Sequence, residues 1–358
     1  MISVADRRAN ATAKTGHCAS FLFTPLLLAL LALFALAGCD SSPRTLAFGG
    51  DTMGTSYHVK IVETASPIPD GVEQGVFAAL DAVDRAMTTW SDDSELMRLN
   101  RQPVGEAFAL SPELFEVLSV AARVHGDSAG AFDPTVGPLV DLWGFGPVPG
   151  RDRAPAQAEI DALRDAIGYD GLDLAADPPR ATRQRDIRLD LSAVAKGYGA
   201  DRAAAYLRSL GLTDFMVEVG GEMVLAGHNQ KGRPWQIAIE TPRPGERAVQ
   251  RIVGVSDRGL ATSGDYRNYF ERDGVRFSHT IDPRTGRPIA HGIASVTVIM
   301  PTAAEADALA TALMVMGERQ ALTFAEQWDI PLFLLVKEQD GFGEYHSTAF
   351  VPYLGEEE

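Results

Sequence analysis

The amino-acid sequence predicts an α+β fold in which largely antiparallel sheets are covered by helices. Strand-like segments outnumber helical ones, and short turns join most neighbouring strands, as in residues 46–62 and in Phe215–Ala226 around Gly220-Gly221. Strands joined by hairpins pair antiparallel, and amphipathic helices then bury one face of the sheet. The chain has 358 residues, 46% of them hydrophobic and 22% charged, which indicates a globular protein of one large domain or two closely packed ones.

Residues 1–38 have the pattern of a lipoprotein signal peptide. An apolar run, Phe21–Ala37, closes in Leu36-Ala37-Gly38-Cys39, with the small residues that signal peptidases accept before the cut. This order is similar to the bacterial lipobox, so we expect Cys39 to carry a lipid and residues 39–45 to form a polar tether. The alternative is a membrane-spanning anchor, because about 17 apolar residues approach the length needed to cross a bilayer.

Charge and cysteine content exclude two classes of protein. The net charge is −16, which argues against a nucleic-acid-binding protein because phosphate contacts require patches of Lys and Arg. The two cysteines are Cys18, which cleavage would remove, and Cys39. A mature chain without a cysteine pair must be stabilised by its hydrophobic core rather than by disulfides.

The first half of the expected domain, residues 46–358, mixes helices with irregular segments. Apolar spacing predicts helices over Gly71–Trp90 and 157–167, and Ser111-Pro112 is typical of a helix start, here continuing to about His125. The remaining predictions are a polar turn or short helix at 92–100, an irregular Gly130–Gly146, a surface loop at 147–155 and a hairpin at 171–189 around Asp177-Pro178.

The second half is predicted to be richer in strands. A strand, Ile187–Leu191, leads into a helix that ends near Leu210 before Gly211. The further predicted elements are a strand at Trp235–Glu240, a hairpin of Tyr266–Arg272 and Val275–Ile281 around Asp273-Gly274, a strand at Ile293–Met300, a helix over 301–317 and a last buried strand at 331–336.

His279 is the first candidate for catalysis. It lies at the end of the predicted 266–281 hairpin, beside Ser278 and Asp282, and an Ala261–Gly264 loop leads into that hairpin. A histidine held by a rigid hairpin suits general acid/base chemistry, because the side chain exchanges protons near neutral pH. The alternative is a structural histidine in a turn.

Asp307 and Thr311 are candidates for metal binding. They interrupt a helix made almost entirely of Ala, Leu and Met, and their i, i+4 spacing places both oxygen side chains on one face. One carboxylate and one hydroxyl suit a hard cation, Mg²⁺ in particular. Alternatively, Asp307 favours the positive end of the helix and Thr311 bonds a backbone carbonyl.

Two further segments could bind a substrate. Asp190–Asp201 joins the predicted strand to a helix and contains Lys196 among glycines, and such junctions bind phosphates, although neither a P-loop nor a dinucleotide fingerprint is present. The alternative is a tight turn with a surface lysine. Trp90, Phe132 and Trp143 could stack on a planar ring or could simply be core residues.

In this order the segments resemble the ApbE family of FAD:protein FMN transferases, over about residues 46–336. The matching motifs are Thr52-Met53-Gly54-Thr55, Thr89-Trp90-Ser91 with Ser94-Glu95-Leu96, Ala131–Gly137, Asp190–Ala193 through Lys196-Gly197-Tyr198, Val219-Gly220-Gly221, Ala261–Gly264, Ser278–Pro283 with Thr285-Gly286, and Ala306–Thr311.

The resemblance implies an ApbE-like α+β fold with FAD in a central cleft and assigns roles by position. It implies an FAD site of Met53, Trp90, Ala131, Phe132, Asp133, Asp190, Lys196 and the backbone near Ile281. It further implies Mg²⁺ held by Asp307, Thr311 and the main-chain oxygen of Ala193, with His279 as the general base. Some members carry an acidic residue where Ala310 stands, so this chain could have one carboxylate fewer at its metal site.

The implied reaction is Mg²⁺-dependent transfer of FMN from FAD to a threonine hydroxyl of a target flavoprotein, with release of AMP. The implied acceptors are exported flavoproteins of membrane electron-transfer complexes, and the implied location is the periplasmic face of the bacterial inner membrane. Two alternatives stay open: hydrolysis of FAD to FMN and AMP, and a flavin-binding lipoprotein without turnover. The combination of His279, Asp307 and Thr311 favours an enzyme, because binding alone does not require a base.

Overall fold

Strands and helices follow one another along residues 43–355, and every described strand pair is antiparallel. The computed structural model describes residues 43–64, 67–145, 154–163, 166–242, 248–264, 269–272 and 275–355. The strands are β1 (Thr45–Thr52), β2 (Thr55–Val62), β3 (Ala107–Ala109), β4 (Leu172–Ala176), β5 (Pro179–Arg183), β6 (Phe215–Val219), β7 (Glu222–Ala226), β8 (Trp235–Glu240), β9 (Val249–Val255), β10 (Arg258–Gly264), β11 (Tyr269–Arg272), β12 (Val275–Ser278), β13 (Ile281–Asp282), β14 (Arg287–Pro288), β15 (Ile293–Met300), β16 (Leu332–Glu338) and β17 (Gly341–His346). The helices are α1 (Val72–Met87), α2 (Glu95–Arg101), α3 (Pro112–Asp127), α4 (Gly137–Leu142), α5 (Gln157–Ala162), α6 (Ala195–Ser209), α7 (Ala303–Met316) and α8 (Glu318–Gln327), with short 3₁₀ helices at Tyr169–Gly171 and Thr348–Tyr353.

An eight-stranded sheet, in the order β1-β2-β6-β7-β10-β15-β16-β17, forms the centre of the fold. β10 and β15 lie in its interior, and β10 pairs with both β7 and β15. The helices lie in groups between runs of strands and do not alternate with single strands as in a parallel α/β fold. The predicted α+β class with antiparallel sheets is therefore confirmed.

Both faces of the central sheet are covered. On one face, buried side chains of α1, α3, α6 and α7 pack in two apolar clusters against the inward residues of the strands. On the other face, Trp235, Ile237 and Phe350 from β8 and the 348–353 helix pack against Phe333 and Leu335 of β16. Buried apolar area of this extent is the main source of stability in residues 43–355, which contain no cysteine.

Several predicted elements are present with nearly the predicted bounds. The β6–β7 hairpin turns at Gly220-Gly221, where both residues have positive φ. Helix α3 starts at Pro112, and the Ser111 hydroxyl caps it by accepting the Leu114 N–H at 3.1 Å. These elements were predictable because their signals are local: turn glycines and a capping residue before an apolar period.

The predicted strand at Ile187–Leu191 was wrong. The segment enters no sheet, because the Asn100 side chain takes the place of a partner strand. The Leu189 N–H donates to Asn100 Oδ1 at 2.8 Å, and Asn100 Nδ2 donates to the Leu189 carbonyl at 2.9 Å. The side-chain amide of Asn100 presents an N–H and a carbonyl oxygen side by side, as a peptide group does. It can therefore bond both the N–H and the C=O of Leu189 without a partner strand.

The predicted loop at Ala261–Gly264 was also wrong, because these residues complete strand β10. They pair in register with Ser295–Val298 of β15, and the Thr262 and Thr297 hydroxyls lie 2.9 Å apart across that pair. Small and polar residues indicate a loop when local composition alone is considered. Here the antiparallel pairing with β15 makes these residues a strand despite their loop-like composition.

Two other predictions need correction, and a third is incomplete. Strand β12 ends at Ser278 rather than Ile281, which pairs separately with Pro288. Gly130–Gly146 is not wholly irregular, since it contains α4 with Pro138 in its first turn, where proline is tolerated. Strand β16 is the last buried strand, as predicted, but it is followed by a half-buried strand, β17, that was not predicted and that pairs along its length.

Some predictions concern residues outside the described ranges. These are the signal peptide at 1–38, Cys39, the 273–274 turn and most of the 147–155 loop. Among the described residues, no helix combines the length and the apolar character needed to cross a bilayer.

Candidate active site

A cleft of about 630 Å³ collects residues from distant parts of the chain. This volume lies in the range of small-molecule binding sites. Its lining includes predicted site residues from five segments, namely Trp90, Ala131, Phe132, Asp133, Asp190, Ala193, Lys196, His279, Ile281, Asp307 and Thr311. One predicted residue of the described chain, Met53, is not in this lining. It lies in the β1–β2 turn with φ of 49° and packs between the two helical clusters.

The segment from Asp190 to Lys196 forms one wall of the cleft. Its start is held by the Asn100–Leu189 bonds and by the Asp190 N–H, which donates to the Pro134 carbonyl at 2.7 Å. The Asp190 carboxylate accepts the Ser192 N–H at 2.9 Å. A carboxylate that accepts the N–H two residues onward forms a tight turn, and this turn places Ala193 and Lys196 at the start of α6.

Helix α7 provides Asp307 and Thr311 on the neighbouring wall. The helix is capped twice, by Thr302, whose hydroxyl accepts the Glu305 N–H at 3.2 Å, and by Asp201, whose carboxylate accepts the Ala303 and Ala304 N–H groups at 2.9 Å each. The N-terminus of α7 is thus capped by other residues, and Asp307 lies one turn further along the helix. Thr311 Oγ1 lies 3.4 Å from Ser263 Oγ at the end of β10.

Three buried or half-buried charges meet where these walls approach each other. Lys196 Nζ lies 3.2 Å from Glu222 Oε1 and 3.7 Å from Asp307 Oδ2, and it is 3.4 Å from the Ser192 carbonyl. The Gly197 N–H also donates to Asp307 Oδ2, at 3.2 Å. Lys196 is consequently not the surface lysine of the alternative explanation.

Burial sets the protonation tendencies of this cluster. Burial raises the pKa of Asp307, and the Lys196 ammonium and the Gly197 N–H act in the opposite direction. Burial and then the Asp307 charge raise the pKa of Glu222. Burial alone would lower the pKa of Lys196, but the two carboxylates together raise it. Because the pKa of both carboxyl groups is raised, ionising both of them beside a single ammonium is unfavourable, and a bound cation would favour the ionised forms.

The Ala131–Asp133 segment forms the floor on another side. Ala131 and Phe132 are buried, and the Asp133 carboxylate accepts the Thr135 N–H at 2.8 Å and the Tyr169 N–H at 3.3 Å. Asp133 therefore fixes this loop through its side chain. Trp90 differs from these residues, because 86% of its side-chain surface is exposed at the cleft.

His279 lines the cleft directly after β12. Its ring lies edge-on to Phe145, with 6.4 Å between the ring centroids and 70° between the ring planes. The turn that follows is ordered, since the Ser278 hydroxyl accepts the Thr280 N–H and the Ile289 N–H donates to the Thr280 carbonyl, each at 3.0 Å. A histidine in a cleft that also holds an ammonium and a carboxylate is suited to remove a proton from a hydroxyl group.

Glu222 is the principal site residue that the sequence did not reveal. It lies at the start of β7, one residue after the Gly220-Gly221 turn, and 95% of its surface is buried. A signal was present, because Glu222 and Val224 share a face of β7 and Val224 belongs to the helix-covered core. Ser263, Arg188 and Phe145 also line the cleft without having been predicted.

The cleft fits a hard cation through oxygen atoms. Among the described residues, no group of three His, Cys, Asp or Glu side chains could hold a metal ion, which excludes a zinc-type cluster there. The oxygen donors are the Asp307 carboxylate and the Thr311 hydroxyl on one wall of the cleft, and the Ala193 backbone carbonyl on the neighbouring wall. This donor set suits Mg²⁺. Ala310 is fully buried in the apolar core and is absent from the lining.

Comparisons with known proteins converge on one family. The model of the ApbE family matches residues 53–334. An FAD:protein FMN transferase of Vibrio cholerae serotype O1 is 45% identical over 333 residues, which is 92% of this chain and 98% of that protein. The solved flavin transferase ApbE from Vibrio cholerae superimposes with a TM-score of 0.79 at 42% identity, over 87% of this chain and all of that one. The apo form of Pseudomonas stutzeri flavinyl transferase ApbE gives 0.80 at 38% identity, over 88% and 98%.

Proposed function

This chain belongs to the ApbE family, and we propose that it transfers FMN from FAD to a hydroxyl group of a protein acceptor and releases AMP. One observation carries the proposal: a single cleft brings together His279, Lys196, Asp307 and Thr311. This set combines a proton acceptor, an ammonium and oxygen ligands. Simple binding of a flavin would not require it.

The reaction is a displacement at phosphorus. An acceptor threonine oxygen forms a bond to the FMN-side phosphorus of FAD while the bond from that phosphorus to the bridging oxygen breaks. The hydroxyl proton passes to His279, and AMP leaves with the bridging oxygen. Every atom is accounted for without a redox partner, and FMN remains on the acceptor as a phosphoester.

Different residues of the cleft neutralise the charge of the substrate, hold it in position and bind the cation. The Lys196 ammonium neutralises charge on the pyrophosphate, and the exposed ring of Trp90 offers a face for stacking a planar group. The wall at Asp190–Ala193 and the floor at Ala131–Asp133 hold the substrate in position, which lowers the entropic cost of the transition state. We assign Asp307, Thr311 and the Ala193 carbonyl to Mg²⁺, which supplies further charge neutralisation on phosphoryl oxygens when bound.

The reaction products distinguish FMN transfer from hydrolysis of FAD and from flavin binding without turnover. The chain is incubated with FAD, Mg²⁺ and an acceptor domain that contains a threonine, and the acceptor is weighed as an intact protein. We expect a mass gain equal to FMN less water, with one AMP released per adduct. FMN and AMP without an adduct would indicate hydrolysis by water, and unchanged FAD would indicate binding alone.

We also propose that the chain is a lipoprotein attached to the periplasmic face of the inner membrane and that its acceptors are exported flavoproteins. Support comes from Leu36-Ala37-Gly38-Cys39, followed by Asp40. Cys39→Ala should abolish labelling with a fatty-acid probe and release the protein from membranes or leave it as a precursor. Wild-type protein that is unlipidated and begins elsewhere than Cys39 would refute this anchorage.

A further inference from the structure

Glu222 lies beside the proposed cation site without belonging to it. Its Oε1 accepts the closest contact of Lys196 Nζ, at 3.2 Å, whereas Asp307 Oδ2 is 3.7 Å from the same nitrogen. Glu222 Oε2 is buried and has no hydrogen-bond partner among the described residues. A buried carboxylate with one oxygen unsatisfied is costly, and this cost makes Glu222 a candidate for a role in the cleft.

The ammonium has two buried carboxylates within reach and can pair closely with only one of them. Both contacts that the described residues make to Asp307 go to Oδ2, from Lys196 and from the Gly197 N–H. Neither of these two contacts involves Asp307 Oδ1. Asp307 therefore keeps an oxygen for another ligand as long as Lys196 remains on Glu222.

A lysine side chain is long and flexible, so its position depends on the groups that hold it. Glu222 is itself fixed, because it begins a strand in the interior of the central sheet and pairs with Val219 across a tight turn. Lys196 starts a helix on the facing layer. The ion pair between Lys196 and Glu222 thus holds a flexible side chain at a fixed position on the strand.

We propose that Glu222 is a positioning residue that holds the Lys196 ammonium away from Asp307 and so leaves an Asp307 oxygen able to ligate a hard divalent cation. Without Glu222, Asp307 is the remaining carboxylate partner of Lys196, and a close ammonium–carboxylate pair competes with the cation for that carboxylate. The inference rests on the proposed function only in taking the cation to be Mg²⁺-like.

The test measures cation binding without FAD and without turnover. Mn²⁺ is titrated into the full chain, and free Mn²⁺ is followed by electron paramagnetic resonance. Four proteins form a double-mutant cycle: wild type, Glu222→Gln, Lys196→Gln and the double variant. Thermal melts of each protein verify folding. Glu218→Gln is the matched control, since it removes a carboxylate from the other strand of the same hairpin, where Glu218 bonds His58 at 2.7 Å.

The cycle separates positioning from a simple loss of negative charge. If Glu222 acts through Lys196, Glu222→Gln weakens Mn²⁺ binding by about tenfold or more when Lys196 is present, and by less than about twofold when residue 196 is Gln. Glu218→Gln should change binding by less than about twofold. Equal weakening in both backgrounds would show a through-space charge effect and overturn the proposal.

Two other outcomes would also overturn it: Mn²⁺ binding that Glu222→Gln leaves unchanged, and wild-type protein that binds no Mn²⁺. Should Glu222→Gln melt early, Glu222→Ala enters the same cycle, because it frees Lys196 equally. Failure of the proposed function would be recognised independently of this test. It would appear as the absence of an FMN adduct in the mass assay, whether or not the protein binds Mn²⁺.

Discussion

Asn100 and Leu189 exchange two hydrogen bonds across 89 positions of sequence, and this pair holds the segment that leads into the candidate active site. The Leu189 N–H and C=O both end on the Asn100 amide, at 2.8 and 2.9 Å. Removing the amide leaves two partly buried backbone groups unsatisfied.

Asn100→Ala should therefore lower the free energy of unfolding by about 2–3 kcal/mol, since each unsatisfied group costs about 1–3 kcal/mol. FAD affinity should fall as well, because the segment carries Asp190 and Ala193 into the cleft. Urea unfolding and flavin fluorescence titration measure the two effects. Gln102→Ala, which removes a nearby side-chain amide whose bond to Glu106 is exposed, is the control and should stay within about 0.5 kcal/mol. Equal losses in the two variants would contradict the role of Asn100.

Gly197 is expected to tolerate no side chain. A Cβ at this position would lie 2.3 Å from the Ala303 carbonyl oxygen, so a methyl group would force α6 and α7 apart. Although alanine has the higher helix propensity, Gly197→Ala should destabilise the protein by about 1–3 kcal/mol. The control is Gly126→Ala, in α3, where a Cβ meets nothing within 4 Å and a gain of about 0.5–1 kcal/mol is expected. Thermal denaturation compares the two, and stabilisation by both would show that the helices can separate freely.

Asp201 should make stability depend on pH. Burial raises the pKa of Asp201 to about 6, against the opposing hydrogen bonds from Ala303 and Ala304 and the Arg208 charge. Because the folded state favours the protonated carboxyl, its contribution to stability is largest below the unfolded pKa near 3.8 and is lost as pH rises toward 6.

Asp201→Asn removes this titration, so wild type should lose on the order of 2 kcal/mol relative to the variant between pH 4 and pH 7. Urea unfolding of both proteins at the two pH values provides the measurement. A stability difference that is the same at pH 4 and pH 7 would contradict the prediction.

His279→Ala should separate binding from chemistry. We expect FAD affinity to stay within a few-fold of wild type, while FMN transfer falls by about 10²–10⁴, the usual contribution of a general base. Single-turnover transfer and equilibrium FAD binding are measured on the same preparations. His58→Ala, an exposed histidine on β2, is the control and should transfer normally. Normal transfer by His279→Ala from pH 6 to pH 9 would place the base elsewhere.

Asp307→Asn should affect stability and activity in opposite directions. It replaces a buried carboxyl group whose charged form is disfavoured by burial, so the melting temperature should be unchanged or higher. Transfer should nevertheless collapse or require far more Mg²⁺, because a hard cation loses its charged helix ligand. Thr311→Val removes a neutral ligand and should shift the Mg²⁺ dependence less. The measurement is transfer rate against Mg²⁺ concentration, and superimposable curves for all three proteins would remove both residues from the metal site.

Elements with local signals were predictable from sequence, and elements defined by distant partners were not. The β6–β7 hairpin and α3 were found because turn glycines, a capping serine and apolar spacing lie within a few residues of each other. Leu189 could not be placed because its partner is a side chain 89 positions away. The strand at Ala261–Gly264 was missed because its composition is that of a loop, and its ladder to β15 is formed about 35 residues later.

The residues of the candidate site were also predictable only where their signal was local. Asp307 and Thr311 were noticed because they interrupt an apolar helix, and their motifs matched a family in order. Glu222 was not noticed, because one acidic residue after two glycines is typical of a surface turn. Its burial results from the facing helix layer, and the one signal within β7, the face shared with Val224, does not distinguish a buried carboxylate from an exposed one at the strand end.

The position of β15 in the middle of the sheet has a consequence for biosynthesis. Strand β10 gains its second neighbour, and the cleft gains α7, only after residues 293–316 have been made. A nascent chain shorter than this has Lys196 and His279 but no Asp307 or Thr311, and one side of β10 is unpaired. Long-range pairing of this kind is slow and comes late in folding. Flavin fluorescence quenching during synthesis or refolding would consequently report the completed molecule, and a C-terminal truncation before residue 293 would leave a chain that cannot assemble the site.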